Sequence, residues 1–348
     1  VCSSDLTDVD LDKALAGVQR VRNDIDGLLE RGRISPDKAN KWKSLISGHV
    51  GFADFHDCDF VIEAVFEDLS LKKQIFASLE EVVTPECILA TNTSSLSVTA
   101  MATGLLQPNR VVGFHFFNPV AVMPLLEIAR CAQTDDETLA TALAVGRQLK
   151  KSAVLVADAP AFVVNRLLIR FLGEFTRAVD EGADFAEADK ALNPMGLPMS
   201  PLDLLQLVGI GVAAHVSTSM HEVFPDRFYA SPNLKRMMEA GISGIWTWDA
   251  SGQRSLAAGI SEVYVQGNSP VSADEIRHRV LVALADEARR MLDEGVVSDA
   301  RDIDLCMLLG AGWPFWLGGL TPYLDRTGVS ESVTGQRFLE PGVASVPD

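Results

Sequence analysis

Cysteine is scarce in this 348-residue chain, and what there is lies scattered: Cys2, Cys58, Cys87, Cys131 and Cys306, with no C-x-x-C pair. An odd, dispersed set argues against a disulfide framework and a thiolate metal centre, and fits a reduced, cytoplasmic setting. Positive charge is also in short supply. Lys and Arg number 30 against 47 Asp and Glu, a net charge of −17 that disfavours nucleic acid and anionic membrane surfaces as partners. No apolar run reaches the roughly 20 residues that cross a bilayer, so no integral membrane segment is expected. Low-complexity tracts are missing too, which argues against general disorder.

What remains is globular material, 47% hydrophobic and long enough for two or three domains. The richest basic stretch, Arg31, Arg33, Lys38, Lys41 and Lys43, reads as a solvated helix face. Residues 8–47 read as a helical hairpin turning at Ile34-Ser35-Pro36, with Ser35 capping the second helix and Pro36 at its first position. Short apolar runs then alternate with helical patterns: strand 60–65, helix 69–83, strands 88–91, 111–116 and 126–129, helix 136–149, strand 153–157. That alternation predicts an α/β fold whose sheet is covered on both faces. After Asp158-Ala159-Pro160 the pattern turns mostly helical.

The helical part contains an internal repeat. Arg177-Ala178-Val179-Asp180-Glu181-Gly182 recurs as Arg290-Met291-Leu292-Asp293-Glu294-Gly295, 113 residues later, and Asp189 recurs at Asp302 with the same offset. Each copy continues through a Gly/Pro turn, Met195-Gly196-Leu197-Pro198 and Gly312-Trp313-Pro314-Phe315, so two related helical domains in tandem are expected. A polar linker at 251–270 lies between them.

The segment richest in chemistry is Val112-Gly113-Phe114-His115-Phe116-Phe117-Asn118-Pro119, with Glu127 twelve residues beyond His115. Histidine is the side chain best suited to take a proton near neutral pH, and a carboxylate partner fixes its tautomer and stabilises its cation. Three motifs surround this pair. They are Asp59-Phe60-Val61-Ile62-Glu63-Ala64-Val65-Phe66-Glu67, then Asn92-Thr93-Ser94-Ser95-Leu96, then Asp158-Ala159-Pro160-Ala161-Phe162-Val163-Val164-Asn165-Arg166. In this order and at this spacing the four segments resemble the L-3-hydroxyacyl-CoA dehydrogenase family, over nearly the whole chain. The first of the three looks like the family's strand entering the nicotinamide side, the second like its N-T-S-S-L loop. The third looks like its D-x-x-G-F-x-x-N-R segment, with Ala161 where the family usually has glycine.

The resemblance implies an NAD-dependent oxidoreductase that converts L-3-hydroxyacyl-CoA to 3-ketoacyl-CoA in fatty-acid β-oxidation. It implies that His115 removes the 3-hydroxyl proton, that Glu127 pairs with the imidazole, and that Ser94 and Asn165 hydrogen-bond the substrate oxygen. Glu67 and Lys72 match positions on the nicotinamide ribose side; Asn92 and Asn118 belong to the same cofactor-side group, Asn118 fixing either its own loop or the carboxamide. No metal is implied. Standing alone, Asn92 and Ser94 could be loop caps, Asn165 a helix cap and Lys72 a solvated helix charge. Trp246, Trp248, Trp313, Phe315 and Trp316 read as core residues.

Two helical copies resemble the dehydrogenase part of the family's multifunctional members, the alpha subunits of the fatty-acid oxidation complex, with a hydratase domain upstream and a thiolase subunit as partner. A stand-alone short-chain 3-hydroxybutyryl-CoA dehydrogenase, acting as a homodimer, is the alternative. A non-catalytic structural relative is a third reading, against which the full set Ser94, His115, Glu127 and Asn165 argues.

A dinucleotide-binding domain opens with strand, G-x-G-x-x-G turn and helix, because close approach to a pyrophosphate needs glycines at a helix N-terminus. No such opening is found. The hexapeptide Val1-Cys2-Ser3-Ser4-Asp5-Leu6 can be written as a translated sequencing adapter and is expected to be an artefact. Asp5, at the spacing of the family's ribose-binding acid, is therefore not relied upon. Gly209-Ile210-Gly211-Val212-Ala213-Ala214 fits G-x-G-x-x-A but follows a helix-like run, so helix packing is expected there. The expected organisation is a partial Rossmann-type doubly wound domain at 7–157, lacking its first strands and glycine turn, followed by all-α domains at 158–262 and 263–348. Weak NAD binding is expected from that gap. Ala161 is expected to cost ~1 kcal/mol if its φ is positive.

Overall fold

The computed structural model describes residues 4–343. The first half of the suspected artefact, residues 1–3, and the last five residues of the second helical repeat lie outside the described residues. Two compact units are found. The first runs to Asn92 and takes in 98–112 and 131–139; the second holds 93–97, 113–130 and the chain from Ala140 onward.

The first unit opens with strand β1 (Ser4–Asp8), helix α1 (Leu11–Glu30), helix α2 (Pro36–Ser44) and strand β2 (Ile46–Val50). Asp10 caps α1 by accepting the Lys13 N–H at 2.8 Å, and Ser35 caps α2 by accepting from Lys38, with Pro36 leading the helix as anticipated. The hairpin is shorter than its 8–47 reading. Strands β1 and β2 flank it and pair in parallel, with Ser4 opposite Ile46 and Asp8 opposite Val50. Gly48 lets β2 lie tight on α1, since a Cβ there would come within 3.0 Å of Val18 Cγ2. Next come β3 (Phe60–Glu63), α3 (Leu69–Glu80), β4 (Ile88–Thr91) and α4 (Val98–Ala102). Strands β3 and β4 pair in parallel with Phe60 opposite Ile88. Among the described residues no ladder joins β1–β2 to β3, so this unit holds two separate parallel pairs.

The second unit is built around β5 (Val111–Phe116), which enters it at Gly113, with β6 (Leu125–Arg130) and β7 (Ser152–Ala157). Strand β5 runs antiparallel to β6, and β6 pairs in parallel with β7 after the crossover helix α5 (Asp136–Gln148). Leu125, Leu126, Ile128 and Ala129 of β6 are fully buried, as expected for a strand covered on both faces.

The first helical repeat follows as α6 (Val164–Glu181), α7 (Phe185–Lys190), α8 (Pro201–Val208), α9 (Ile210–Val223) and α10 (Pro232–Glu239). A hairpin of β8 (Trp246–Trp248) and β9 (Arg254–Leu256) and the single turn α11 (Ile260–Val263) lead to α12 (Ala273–Asp293), α13 (Ala300–Gly310), α14 (Leu320–Arg326) and α15 (Val329–Thr334). Gly209 turns the chain through 98° between α8 and α9 with φ of 86°, so the G-x-G-x-x-A sequence is a helix–helix elbow. Gln206 anchors the hairpin by accepting the Trp246 N–H at 2.9 Å. No single helix among the described residues is long and apolar enough to cross a membrane.

The repeat is visible in the caps. Asp184 caps α7 and Asp299 caps α13. Five residues after each cap a buried aspartate holds the start of the next long turn: Asp189 accepts the Leu202 N–H at 2.9 Å and Asp304 accepts the Thr321 N–H at 2.7 Å. Asp304, not Asp302, is therefore the counterpart of Asp189. The loop from Gly295 to Asp299 is two residues longer than that from Gly182 to Asp184, which shifts the offset. Helices α6 and α12, the long members of the two copies, pack on each other.

Candidate functional site

The β5–β6 ladder places His115 directly opposite Glu127. His115 is 5% exposed and Glu127 wholly buried, and their Nδ1 and Oε2 lie 2.6 Å apart. An ionised carboxylate only accepts, so Nδ1 carries the hydrogen and Nε2 keeps its lone pair. Nε2 has no hydrogen-bond partner among the described residues. Glu127 is held from the other side: Oε1 accepts the backbone N–H groups of Val163 at 3.2 Å and Val164 at 3.0 Å, the first turn of α6.

The backbone before α6 makes that contact possible. Ala161 has φ of 61° and Phe162 φ of 48°, two successive residues in the left-handed region. The cost anticipated for Ala161 therefore applies, ~1 kcal/mol. Its methyl is buried against Met220 and Phe228, while the Phe162 ring packs on His115 with centroids 5.6 Å apart. Phe117 covers the imidazole from 4.5 Å.

Asn165 is the second residue of α6, whose N-cap is Val163, so it is not a helix cap. Its carboxamide has no hydrogen-bond partner among the described residues, and it lines a cavity of about 170 Å³ together with Ser94 and Ser95. The loop carrying Ser94 is capped by Thr93, whose Oγ1 accepts the Leu96 N–H at 3.0 Å. Ser97 ties the same loop to the third motif by donating to Asp158 at 2.9 Å. The structure thus brings Ser94 and Asn165 to one cavity, and His115 and Glu127 to one hydrogen bond, within one unit.

The first unit holds Glu67, Lys72 and Asn92. Lys72 is 1% exposed, which corrects the solvated-charge alternative. Its ammonium donates to Glu63 at 2.8 and 3.0 Å and lies 3.4 Å from Glu67, while Glu63 also takes the Val65 N–H and the Thr91 hydroxyl. Lys72 therefore braces the 63–67 loop from below, and Glu67 lies on its exposed side. The Asn92 N–H donates to the Glu63 carbonyl at 2.8 Å. Asn118, of the second unit, is exposed and makes no hydrogen bond among the described residues that would fix its loop.

Asp5 is turned to Ser47 and lies 3.5 Å from His49, a side-chain cluster within the β1–β2 pair. Asp8, which sequence reasoning passed over, ends β1 and is exposed. Asp8 is thus the acid at the carboxyl end of β1, the end at which parallel strands of α/β sheets present groups to ligands.

Of the five aromatics read as core, Trp313 is buried and Trp246 half-buried under Arg254. Trp248, Phe315 and Trp316 are 57%, 69% and 66% exposed, and none of the five lines the cavity. Phe315 and Trp316 sit in a tight turn ending at Gly318, too short to bury both faces. Sequence reading also missed Arg166, fully buried beside Asn165. It pairs with Glu287 and Glu294 from the α12 repeat, and Arg227 closes the ring of four charges. Only its adjacency to Asn165 could have drawn attention to it.

Comparisons with known proteins identify the family and the fold. The family model for the 3-hydroxyacyl-CoA dehydrogenase NAD-binding domain matches residues 2–159, and that for the 3-hydroxyacyl-CoA dehydrogenase C-terminal domain matches 162–247. The fatty acid oxidation complex subunit alpha of Acinetobacter baylyi is 33% identical over 91% of this chain and 46% of its own length. The chain thus spans about half the length of the curated relatives it matches. The solved structure of (S)-3-hydroxybutyryl-CoA dehydrogenase PaaH1 from Ralstonia eutropha is 31% identical, with a TM-score of 0.66 over 70% of this chain and 87% of its own. That of 3-hydroxybutyryl-CoA dehydrogenase from Escherichia coli K12, 23% identical, has a TM-score of 0.77 over 98% of this chain and 92% of its own, a likeness of fold that takes in both helical copies.

The chain combines a Rossmann-type NAD-binding domain of this family with the family's helical C-terminal domain. The chain belongs to the 3-hydroxyacyl-CoA dehydrogenase family. For NAD, the described residues supply the exposed acid ending β1 and the braced loop after β3. They lack a strand–glycine turn–helix for the pyrophosphate.

Proposed function

We propose that this chain carries the dehydrogenase chemistry of fatty-acid β-oxidation, the oxidation of L-3-hydroxyacyl-CoA to 3-ketoacyl-CoA. The observation that carries the reading is the polarised His115: Nδ1 is committed to Glu127 at 2.6 Å while Nε2 has no protein partner. His115 takes the 3-hydroxyl proton at Nε2. Glu127, already ionised and held by the Val163 and Val164 N–H groups, stabilises the imidazolium that results. Asn165 donates its unpaired amide N–H to the substrate oxygen, with Ser94 beside it in the cavity wall, and so orients the C3–O bond. Bound NAD would supply the hydride acceptor for C3. Lys72 keeps Glu63 and the following loop in shape at the cofactor side, with Glu67 and Asn92 at its rim.

The reading places the protein in the cytoplasm, with acyl-CoA thioesters as substrates. The alpha-subunit relatives favour a multifunctional parent with a thiolase subunit as partner over a homodimer, and the close packing of α6 on α12 supports this, because the second copy already covers that face. The test is steady-state oxidation of 3-hydroxyacyl-CoA by the full-length protein carrying His115→Gln. A loss of about 10²–10⁴-fold in kcat with an unchanged melting temperature is expected; retention of wild-type kcat would end the assignment of the base.

A further inference from the structure

We propose that the cavity behind Asn165 is a slot for the acyl tail, and that Leu205, Leu234 and the Thr176 methyl form its far end and set tail length. This rests on the dehydrogenase reading above. The Asn165 carboxamide lies at one end of the cavity, beside Ser94 and Ser95. The other two polar side chains in the wall are turned away. Thr176 donates its hydroxyl to the Leu172 carbonyl at 2.8 Å and Ser217 donates to the Ala214 carbonyl at 3.1 Å, each within its own helix. The body of the cavity, between Leu168 and Leu172 on α6 and Val212 and Val216 on α9, is apolar.

Size and the position of the far end then point to a tail class. An engineered apolar cavity of about 150 Å³ holds a benzene ring, so about 170 Å³ holds a body of roughly six carbons. Beyond the far end lies a second void of about 20 Å³, lined by Phe175, Met237 and Ile245 and sharing Thr176, Leu205 and Leu234 with the first. Those three side chains are the partition. The slot therefore takes medium-length 3-hydroxyacyl tails, leaves a four-carbon acyl group underfilled and stops a sixteen-carbon one.

The test uses the full-length protein and the 3-hydroxybutyryl-, 3-hydroxydecanoyl- and 3-hydroxyhexadecanoyl-CoA series, with calorimetric binding of acetoacetyl-CoA and 3-ketodecanoyl-CoA as a readout that needs no turnover. The ten-carbon compounds should lead the four-carbon ones at least tenfold in kcat/KM and in affinity. Leu234→Ala, which opens the partition, should raise the sixteen-to-ten-carbon ratio at least threefold. Ala213→Leu, which fills the slot without emptying any core, should lower the ten-to-four-carbon ratio at least tenfold. Equal preference across lengths, or variants that shift every length alike, would overturn the slot. Tight 3-ketodecanoyl-CoA binding without oxidation at any length would support the slot and remove the dehydrogenase reading instead.

Discussion

Glu127 faces His115 across an antiparallel ladder and holds, with its second oxygen, the first N–H groups of the helix that carries Asn165. One carboxylate thus fixes the tautomer of His115, the proposed base, and the position of Asn165, the proposed ligand of the substrate oxygen. Glu127→Gln should disable both arrangements. An amide nitrogen turned to His115 would put the hydrogen on Nε2, and one turned to Val164 would oppose its N–H. A fall of about 10²–10⁴-fold in kcat is expected, with a smaller change in KM, read by steady-state kinetics on the full-length protein.

Arg166 and Glu287, both fully buried, form a ring with Arg227 and the exposed Glu294 that joins the two helical copies. Removing one of the buried pair leaves the ring with an unbalanced charge away from water. Arg166→Met or Glu287→Leu alone should cost about 3–5 kcal/mol, while the double variant, which leaves Arg227 with Glu294, should recover most of that loss. Urea unfolding of the four proteins in the cycle measures this; additive single losses would refute the coupling.

Burial pushes the Asp304 carboxyl up to about 6, against its hydrogen bonds from Thr321. A carboxyl raised in the folded state binds a proton more tightly folded than unfolded. Its contribution is therefore fully present below about pH 4 and lost as pH rises through about 6. Asp304→Asn, which never ionises, should gain on the wild type by up to about 3 kcal/mol between pH 4 and pH 8. Denaturant unfolding at the two pH values checks the sign; a gap that narrows with rising pH would contradict it.

No strand–glycine turn–helix lies in this sequence, and β1–β2 and β3–β4 are separate pairs. Titration of the 348 residues alone with NAD should show no saturation below about 1 mM. Supplying the missing element from a full-length relative should restore saturable binding. Tight binding by the 348 residues as they stand would show that Asp8 and the Glu63–Glu67 loop suffice.

Much of this was legible before the structure. Strands 88–91 and 111–116 coincide with β4 and β5 because a fully buried strand is a short apolar run with polar flanks. Caps were legible where Ser, Pro and Asp do one local job each, as at Ser35. Strand β2 was not: Ile46-Ser47-Gly48-His49-Val50 is half-buried and largely polar, and its pairing with β1 depends on residues more than forty positions away. The Glu63–Lys72 pair was hidden for the same reason, since nothing local distinguishes a buried lysine from a solvated one. The offset of the repeat misled at Asp302, because a two-residue loop extension leaves the motif intact and moves the cap. The His115–Glu127 pair was legible as a spacing, and the double left-handed turn at Ala161 and Phe162 that lets Glu127 reach α6 was only half so.

The separation of β1–β2 also bears on how this molecule opens. These strands are tied to α1 and α2 by Ala14, Val18 and Gly48, and by no ladder to the strands that follow. Their amides should therefore exchange with solvent deuterium together, as one block, well before those of β6, which has a partner on each side and no exposed apolar residue.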